Sequence, residues 1–374
     1  MKTISKEDEL IILTSQLTMS DETKSRIKLL IQEEMDWYYF FNSAIKQKVL
    51  TLIYYNLKNL NIEKIIPKQL GRIALFYQLG TIERNKAYFE ELKTIRRILE
   101  DNQVIAVPTK GGWLIPNLYG NNGTRTIGDI DFLVKKEDTK KIKLIMNENG
   151  YIQSEYDNND RKLIHISKEK EVLWRTRKTN LFAFKKQVDN PYVGYFVFDF
   201  CFNLDILSDK DPIPEMFSRL NTDEGDLKYL SDIDFFIHLC VHLYKEATDA
   251  VCILHSTDLN LIKFCDVREF ILQKMSKEKL RKAIDLINTY KLQKPIYFTL
   301  HFLREIYNDG YESEILSEVS IRNLDFLNEY KFNNFSEPIK WEKSFMDRLF
   351  AVSNIDELGK YPEFLTDYHL YEKL

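Results

Sequence analysis

Gly128-Asp129-Ile130-Asp131-Phe132-Leu133-Val134 places two carboxylates one residue apart in an otherwise apolar run. A run of this length, rich in β-formers, reads as a buried strand, and residues i and i+2 of a strand share a face. Asp129 and Asp131 would then project side by side, roughly 6.5–7 Å apart at the backbone. Like charges that close repel, and a buried charge is costly unless paired or bound to a metal. A divalent cation between the two carboxylates resolves the conflict.

Three further groups could join them. The first is Lys110-Gly111-Gly112, where adjacent glycines let a backbone approach a phosphate with no Cβ in the way. The second is Arg125, four residues before Asp129, whose guanidinium could contact a phosphate chain or brace the carboxylates. The third is Asp199, alone in the apolar run Phe196-Val197-Phe198-Asp199-Phe200, where an acid needs a reason. If that strand lies beside residues 129–134, Asp199 converges on the same site. Three carboxylates suit Mg²⁺, which binds through few carboxylates plus substrate phosphates and serves in-line phosphoryl or nucleotidyl transfer. Each member also has a plainer reading. The acid pair could close a strand end, the two glycines a turn, Arg125 could cap a loop, and Asp199 could be a structurally paired acid. The inference rests on the set.

The elements that must position these groups fall into three stretches. Residues 1–103 read as a helical region: Ser20-Asp21 caps a series through Ile27, Leu30, Ile31, Met35 and Tyr38, a second series runs through Val49, Ile53 and Leu57, and Pro67 can open a helix reaching about Leu99. Residues 104–228 mix strands with one clear helix. The expected strands are 104–107, 129–134, a segment from Tyr151, 163–166 and 195–200, with a helix over 137–149 closed by Gly150. Residues 229–374 turn helical again, with apolar spacing through Phe235, Phe236, Leu239, Leu243, Leu259, Ile262 and Phe270. The fold class is therefore α+β: a small mixed sheet flanked by N-terminal and C-terminal helical regions.

Composition narrows the function classes. Hydrophobic residues at 44% and charged residues at 29% are ordinary for a globular chain of 374 residues. A net charge of −4 gives no global electrostatic case for nucleic-acid binding. Only 12 Gly and 9 Pro suggest long helices with short connections. Cys201, Cys240, Cys252 and Cys265 lack CxxC spacing and read as small core residues. The N-terminus has no apolar signal-peptide core, and no apolar run suits a membrane span, so a cytoplasmic location and no membrane partner are expected. His238 and His242 have the spacing of a zinc-binding face but read as packing or hydrogen-bonding groups in a helical core, and His165 as structural. Arg161, Lys162, Arg175, Arg177 and Lys178 read first as solvated surface, second as a site for a polyphosphate or anionic acceptor.

Gly111-Gly112, then Asp129-Ile130-Asp131, then a later strand acid, resembles the signature of the polymerase β-like nucleotidyltransferase superfamily. More narrowly, Lys110-Gly111, Arg125, Asp129 to Val134 and Gly150-Tyr151 resemble a bacterial nucleotidyltransferase family. Asp36-Trp37 resembles that family's N-terminal helical region, and His242 and Asp266 its C-terminal helices, so the likeness covers about residues 20–275. The resemblance implies a nucleotidyltransferase core at 104–228. It implies Asp129 and Asp131 as metal ligands, and Asp199 as third carboxylate, binding metal or taking a proton from the acceptor. Gly111 and Gly112 would lie against the triphosphate. The chain departs from many relatives at Asp199-Phe200-Cys201, where they place a histidine.

The expected activity is thus Mg²⁺-dependent transfer of a nucleoside monophosphate from a nucleoside triphosphate, releasing pyrophosphate. Lys110 and Arg125 would neutralise phosphate charge. The acceptor could be a small molecule, peptide, protein, sugar or RNA end. Kinase-type phosphoryl transfer on the same fold and a non-catalytic partner-binding scaffold are the alternatives.

Overall fold

The computed structural model describes residues 4–157, 159–204, 211–222, 227–332 and 337–358. Helices α1 (Lys6–Thr14), α2 (Asp21–Leu30), α3 (Trp37–Lys46) and α4 (Leu50–Asn59) open the chain. Ser20 caps α2 by accepting from the Thr23 amide at 3.1 Å. The apolar series after it is broken, however: α2 stops at Leu30, and Asp36 starts α3 by accepting from the amides of Tyr38 and Tyr39. Two capping residues in one stretch favour two short helices over one long one.

Pro67 precedes α5 (Lys68–Asp101), a helix of 34 residues and about 50 Å. Its first half packs on α4 and its second half underlies the sheet. The sheet follows, interleaved with helices: β1 (Val107–Pro108), α6 (Lys110–Leu114), β2 (Ile130–Leu133), α7 (Thr139–Glu148), β3 (Ile152–Asp157), β4 (Lys162–His165), α8 (Lys168–Arg177), β5 (Phe184–Gln187) and β6 (Tyr195–Cys201). The strand order is β1-β2-β6-β5-β3-β4. β2 and β6 run parallel; the other neighbours are antiparallel.

The expected strand at 104–107 shrinks to β1, because pairing to β2 begins only at Val107, opposite Leu133. Strand β5, which the sequence pattern missed, carries two lysines and a glutamine and fills the place between β6 and β3. Helix α7 is shorter than expected, and Gly150 follows it at φ +80, a conformation that suits glycine.

Alternation along β6 sorts its faces. Phe196, Phe198 and Phe200 are buried, while Val197, Asp199 and Cys201 are half-buried on the other side. The phenylalanine face packs with Ile130 and Phe132 of β2 against Tyr88, Leu92 and Ile95 of α5 and Ile142, Ile145 and Met146 of α7. Phe132 stacks on Phe198 and Phe200 with ring centroids 6.1 and 5.4 Å apart. Such pairs add about 0.5–1.5 kcal/mol each beyond burial. This apolar layer fixes the register of β2 and β6, since a one-residue slip would bury Asp131 and Asp199 in it.

The opposite face is covered by the C-terminal helices α10 (Asp232–Thr248) and α12 (Leu261–Lys274), after the short α9 (Ile213–Ser218) and α11 (Ala250–Leu254). Trp113 of α6 wedges between Phe235 and Phe270, with centroids 4.7 and 5.7 Å away. Helices α1 to α4, α10 and α12 share one hydrophobic core, which extends to Leu280, Ile296, Leu316 and Leu349 farther along the chain. Among the described residues, no helix is long and apolar enough to cross a membrane. All four cysteines are free.

Candidate active site

Parallel pairing sets Asp131 of β2 directly beside Asp199 of β6. Both lie on the face away from the phenylalanines. Asp129 sits just before β2 and is exposed, whereas Asp131 is only 6% exposed. Burial raises the Asp131 carboxyl to about 7; the Lys110 ammonium opposes this and the neighbouring Asp129 and Asp199 add to it. Burial also pushes Asp199 up, against Lys110 and Asn180. The Asn180 side-chain amide donates to both Asp199 oxygens at 2.8 Å.

Lys110 opens α6 with φ +45 and reaches Asp131 Oδ1 at 2.7 Å. Burial works against its ammonium, but Asp131, Glu246, Asp129 and Asp199 outweigh that and hold it above its ordinary value. Lys110 is therefore committed to the carboxylates in this state. Gly111 lines the cleft, and a Cβ there would lie 3.0 Å from Arg125 Nη1, so glycine makes room for the guanidinium. Gly112 is buried behind it, its amide donating to Thr109 O at 3.1 Å.

Arg125 does not touch Asp129 or Asp131 through a hydrogen bond. It forms a fork with Asp266 of α12, Nε to Oδ1 at 2.8 Å and Nη2 to Oδ2 at 2.6 Å. Tyr119 donates to the same carboxylate at 2.7 Å. Arg125 therefore pairs with Asp266 and not with the Asp129 and Asp131 carboxylates.

Two more groups come from α10 and α12. His242 Nε2 lies 3.2 Å from Glu246 Oε2, and Lys263 Nζ lies 2.5 Å from the same oxygen. Burial lowers the His242 ring to about 3, so it is neutral. Burial opposes ionisation of Glu246, yet His242 and Lys263 hold it well below its ordinary value. His238 is fully inside α10's packing. His165 is on β4, and Lys162 pairs with exposed Asp160 while Lys178 pairs with Asp249. Arg175 and Arg177 are on α8, but their side chains lie outside the described residues.

Lys110, Asp129, Asp131, Arg125, Asp266, His242, Glu246 and Lys263 line one cleft of 690 Å³. Its floor is Lys110, Gly111, Asp129 and Asp131; one wall is α10 and α12. The other wall is N-terminal: Lys48, Phe76, Tyr77 and Gly80, with Pro191 and Tyr192 at the rim. Asp199 is beside this floor rather than in the lining itself. The size is that of a small-molecule site.

A family model described as uncharacterised nucleotidyltransferase matches residues 33–308. The chain belongs to that family. The protein is accordingly an enzyme, a transferase of phosphorus-containing groups. The matched span takes in both helical walls of the cleft as well as the sheet. No curated protein and no solved structure matches the chain.

Sequence spacing missed Lys48, Asn180, Glu246 and Lys263. Their meaning comes from contacts across distant parts of the chain. Only His242-to-Glu246 carried a local signal, the four-residue step of one helix face.

Among the described residues, no group of three or more His, Cys, Asp or Glu stands ready as a metal site. The donor set nevertheless fits a hard cation. Asp131 and Asp199 offer adjacent carboxylates of raised pKa, and the Lys110 ammonium at 2.7 Å already occupies Asp131 as a cation would. Mg²⁺ asks for one or two carboxylates and takes its remaining ligands from phosphates and water.

Proposed function

We propose that this cleft performs Mg²⁺-dependent nucleotidyl transfer: a nucleoside triphosphate enters, its monophosphate passes to an acceptor, and pyrophosphate leaves. The observation that carries the reading is that Asp131, in the floor of a ligand-sized cleft with Asp129, stands in register with Asp199 just beside it. The arrangement of a strand acid pair beside a parallel strand acid also favours the polymerase β-like superfamily.

In this reading the acceptor oxygen forms a bond to the α-phosphorus while the bond from that phosphorus to the bridging oxygen of the β-phosphate breaks. Asp129 and Asp131 would hold Mg²⁺, which when bound neutralises phosphate charge. Asp199 would complete the carboxylate set or accept the proton of the acceptor, with Asn180 fixing its orientation. Lys110, held 2.7 Å from Asp131 Oδ1, would neutralise charge on the triphosphate. Arg125 would act by holding the Asp129 loop to α12. Phe76, Tyr77 and Tyr192 offer exposed aromatic faces at the mouth for a base or an acceptor ring.

The test is calorimetry with a non-hydrolysable ATP analogue, with and without Mg²⁺, on wild type and on Asp129→Asn/Asp131→Asn. Mg²⁺-enhanced binding lost in the variant supports the reading; equal binding in both removes it. Product analysis then separates the chemistry, since nucleoside diphosphate in place of pyrophosphate would make the enzyme a kinase.

A further inference from the structure

Four of the five cations lining the cleft are spoken for. Lys110 is on Asp131, Arg125 on Asp266 and Lys263 on Glu246, and Arg84 is spent on the main-chain carbonyls of Ile127, Gly128 and Tyr192. The fifth, Lys48, forms no side-chain hydrogen bond or ion pair among the described residues. It stands in the turn between α3 and α4, and solvent reaches it through the cleft although protein crowds around it. Burial, with Lys263 nearby, pulls its ammonium below the ordinary lysine value, and Asp129 and Glu246 oppose that only from a distance.

Lys48 has φ +58, the left-handed conformation that closes the C-terminus of α3, with the Val49 amide donating to Ala44 O at 3.0 Å. Its neighbours fasten it there. The Gln47 side chain donates to Leu349 O at 2.5 Å and accepts from the Leu261 amide at 2.7 Å. Asn260 donates to Lys46 O at 3.1 Å, and the Ile262 amide to Gln47 O at 3.3 Å. The turn is thereby pinned to the start of α12, one residue before Lys263.

We propose that Lys48 is the oxyanion-binding residue of the cleft, a preformed cation supplied by the N-terminal helical region for an anionic group of a substrate. This rests on reading the cleft as a nucleotide site. Two sources share the chemistry: the terminal phosphates of the triphosphate, which become the leaving pyrophosphate, and an anionic group on the acceptor. Either one replaces the missing counter-charge with a charge-assisted hydrogen bond. Under this assignment the N-terminal region takes part in substrate binding and is more than a support for the sheet.

The test uses the full chain with Lys48→Asn and Lys48→Arg. Asparagine tolerates the left-handed backbone well, so Lys48→Asn removes the charge without adding strain, and thermal melting checks that it folds. Binding is measured for the ATP analogue, for AMP and for inorganic pyrophosphate, and for inorganic phosphate added to enzyme saturated with the analogue. A loss of about tenfold or more for the analogue and pyrophosphate in Lys48→Asn, with AMP little changed and Lys48→Arg largely rescued, supports the inference and names the terminal phosphates. Unchanged analogue affinity with loss of phosphate binding to the loaded enzyme supports it and names the acceptor. Equal binding of every probe in wild type and Lys48→Asn overturns it. If wild type binds no nucleotide yet binds pyrophosphate through Lys48, the anion site stands and the proposed reaction falls. If wild type binds none of the probes, both fall.

Discussion

Arg125 and Asp266 meet through two parallel hydrogen bonds, across 141 residues of chain. The guanidinium comes from the loop that leads to Asp129, the carboxylate from α12 in the C-terminal wall. Their side chains are 13% and 6% exposed. Removing one partner leaves the other charge buried and unpaired, at a cost of about 3–5 kcal/mol. Asp266→Ala should therefore lower stability in urea by that order, and Arg125→Met/Asp266→Ala should lose much less than the sum of the single changes. Additive losses would mean that the fork does not couple loop to wall. Arg125→Lys should also fail to restore it, because an ammonium cannot make the paired bonds.

Arg84 of α5 grips the turn in front of Asp129. It donates to Ile127 O at 2.7 Å, Gly128 O at 3.2 Å and Tyr192 O at 3.0 Å, and Tyr88 donates to Gly128 O at 2.9 Å. Arg84→Lys keeps the charge and loses the fork. The expected result is a fall of about 10- to 100-fold in pyrophosphate release, since small misplacement of a catalytic group is costly. The Mg²⁺ concentration needed for nucleotide binding should rise with it, while Mg²⁺-free nucleotide binding stays near wild type. A variant with normal Mg²⁺ dependence would show that the turn holds its shape unaided.

His242 gives stability a pH dependence of known sign. Burial lowers its pKa from 6.5 to about 3 in the folded protein. Between those values the unfolded chain binds a proton that the folded chain refuses. Its contribution is therefore fully present above pH 6.5 and declines as pH falls, by about 1.4 kcal/mol per pH unit. Urea titrations at about pH 7.5 and pH 5 should show His242→Gln losing about 2 kcal/mol less than wild type over that interval. Equal losses would place the ring's titration in its ordinary range.

Gly123 and Gly128 flank the same loop and should respond oppositely. At Gly123, φ is +73 and a Cβ would lie 2.7 Å from Gln78 O on α5. Gly123→Ala should destabilise by about 2–5 kcal/mol, combining the left-handed penalty with overpacking. At Gly128 nothing lies within 4 Å of the position a Cβ would take. Gly128→Ala should change stability by no more than about 1 kcal/mol. Thermal melts of the two variants decide this, and a tolerated Gly123→Ala would mean that the loop can lift off α5.

The acids were legible in the sequence because strand chemistry is local. Asp131 and Asp199 each interrupt an apolar alternation, and parallel pairing of two such strands was enough to bring them together. Lys110 and Arg125 were legible as residues but not in their partners, since spacing does not say which carboxylate a long side chain will choose. Lys48 carried no signal at all. Its place depends on Gln47 meeting Leu261 and Leu349, contacts across 214 and 302 residues of chain that no local pattern reveals. Strand β5 was hidden because two lysines and a glutamine give it the look of surface loop, although Phe184 anchors it against Phe200.

Helix α5 runs without a break from the aromatic mouth of the cleft to the underside of the sheet. Rim and floor are therefore mounted on a single rod. The side chains at the doorway, Phe76 and Tyr77, and those braced beneath the strand of Asp131, Tyr88 and Leu92, thus belong to one uninterrupted backbone.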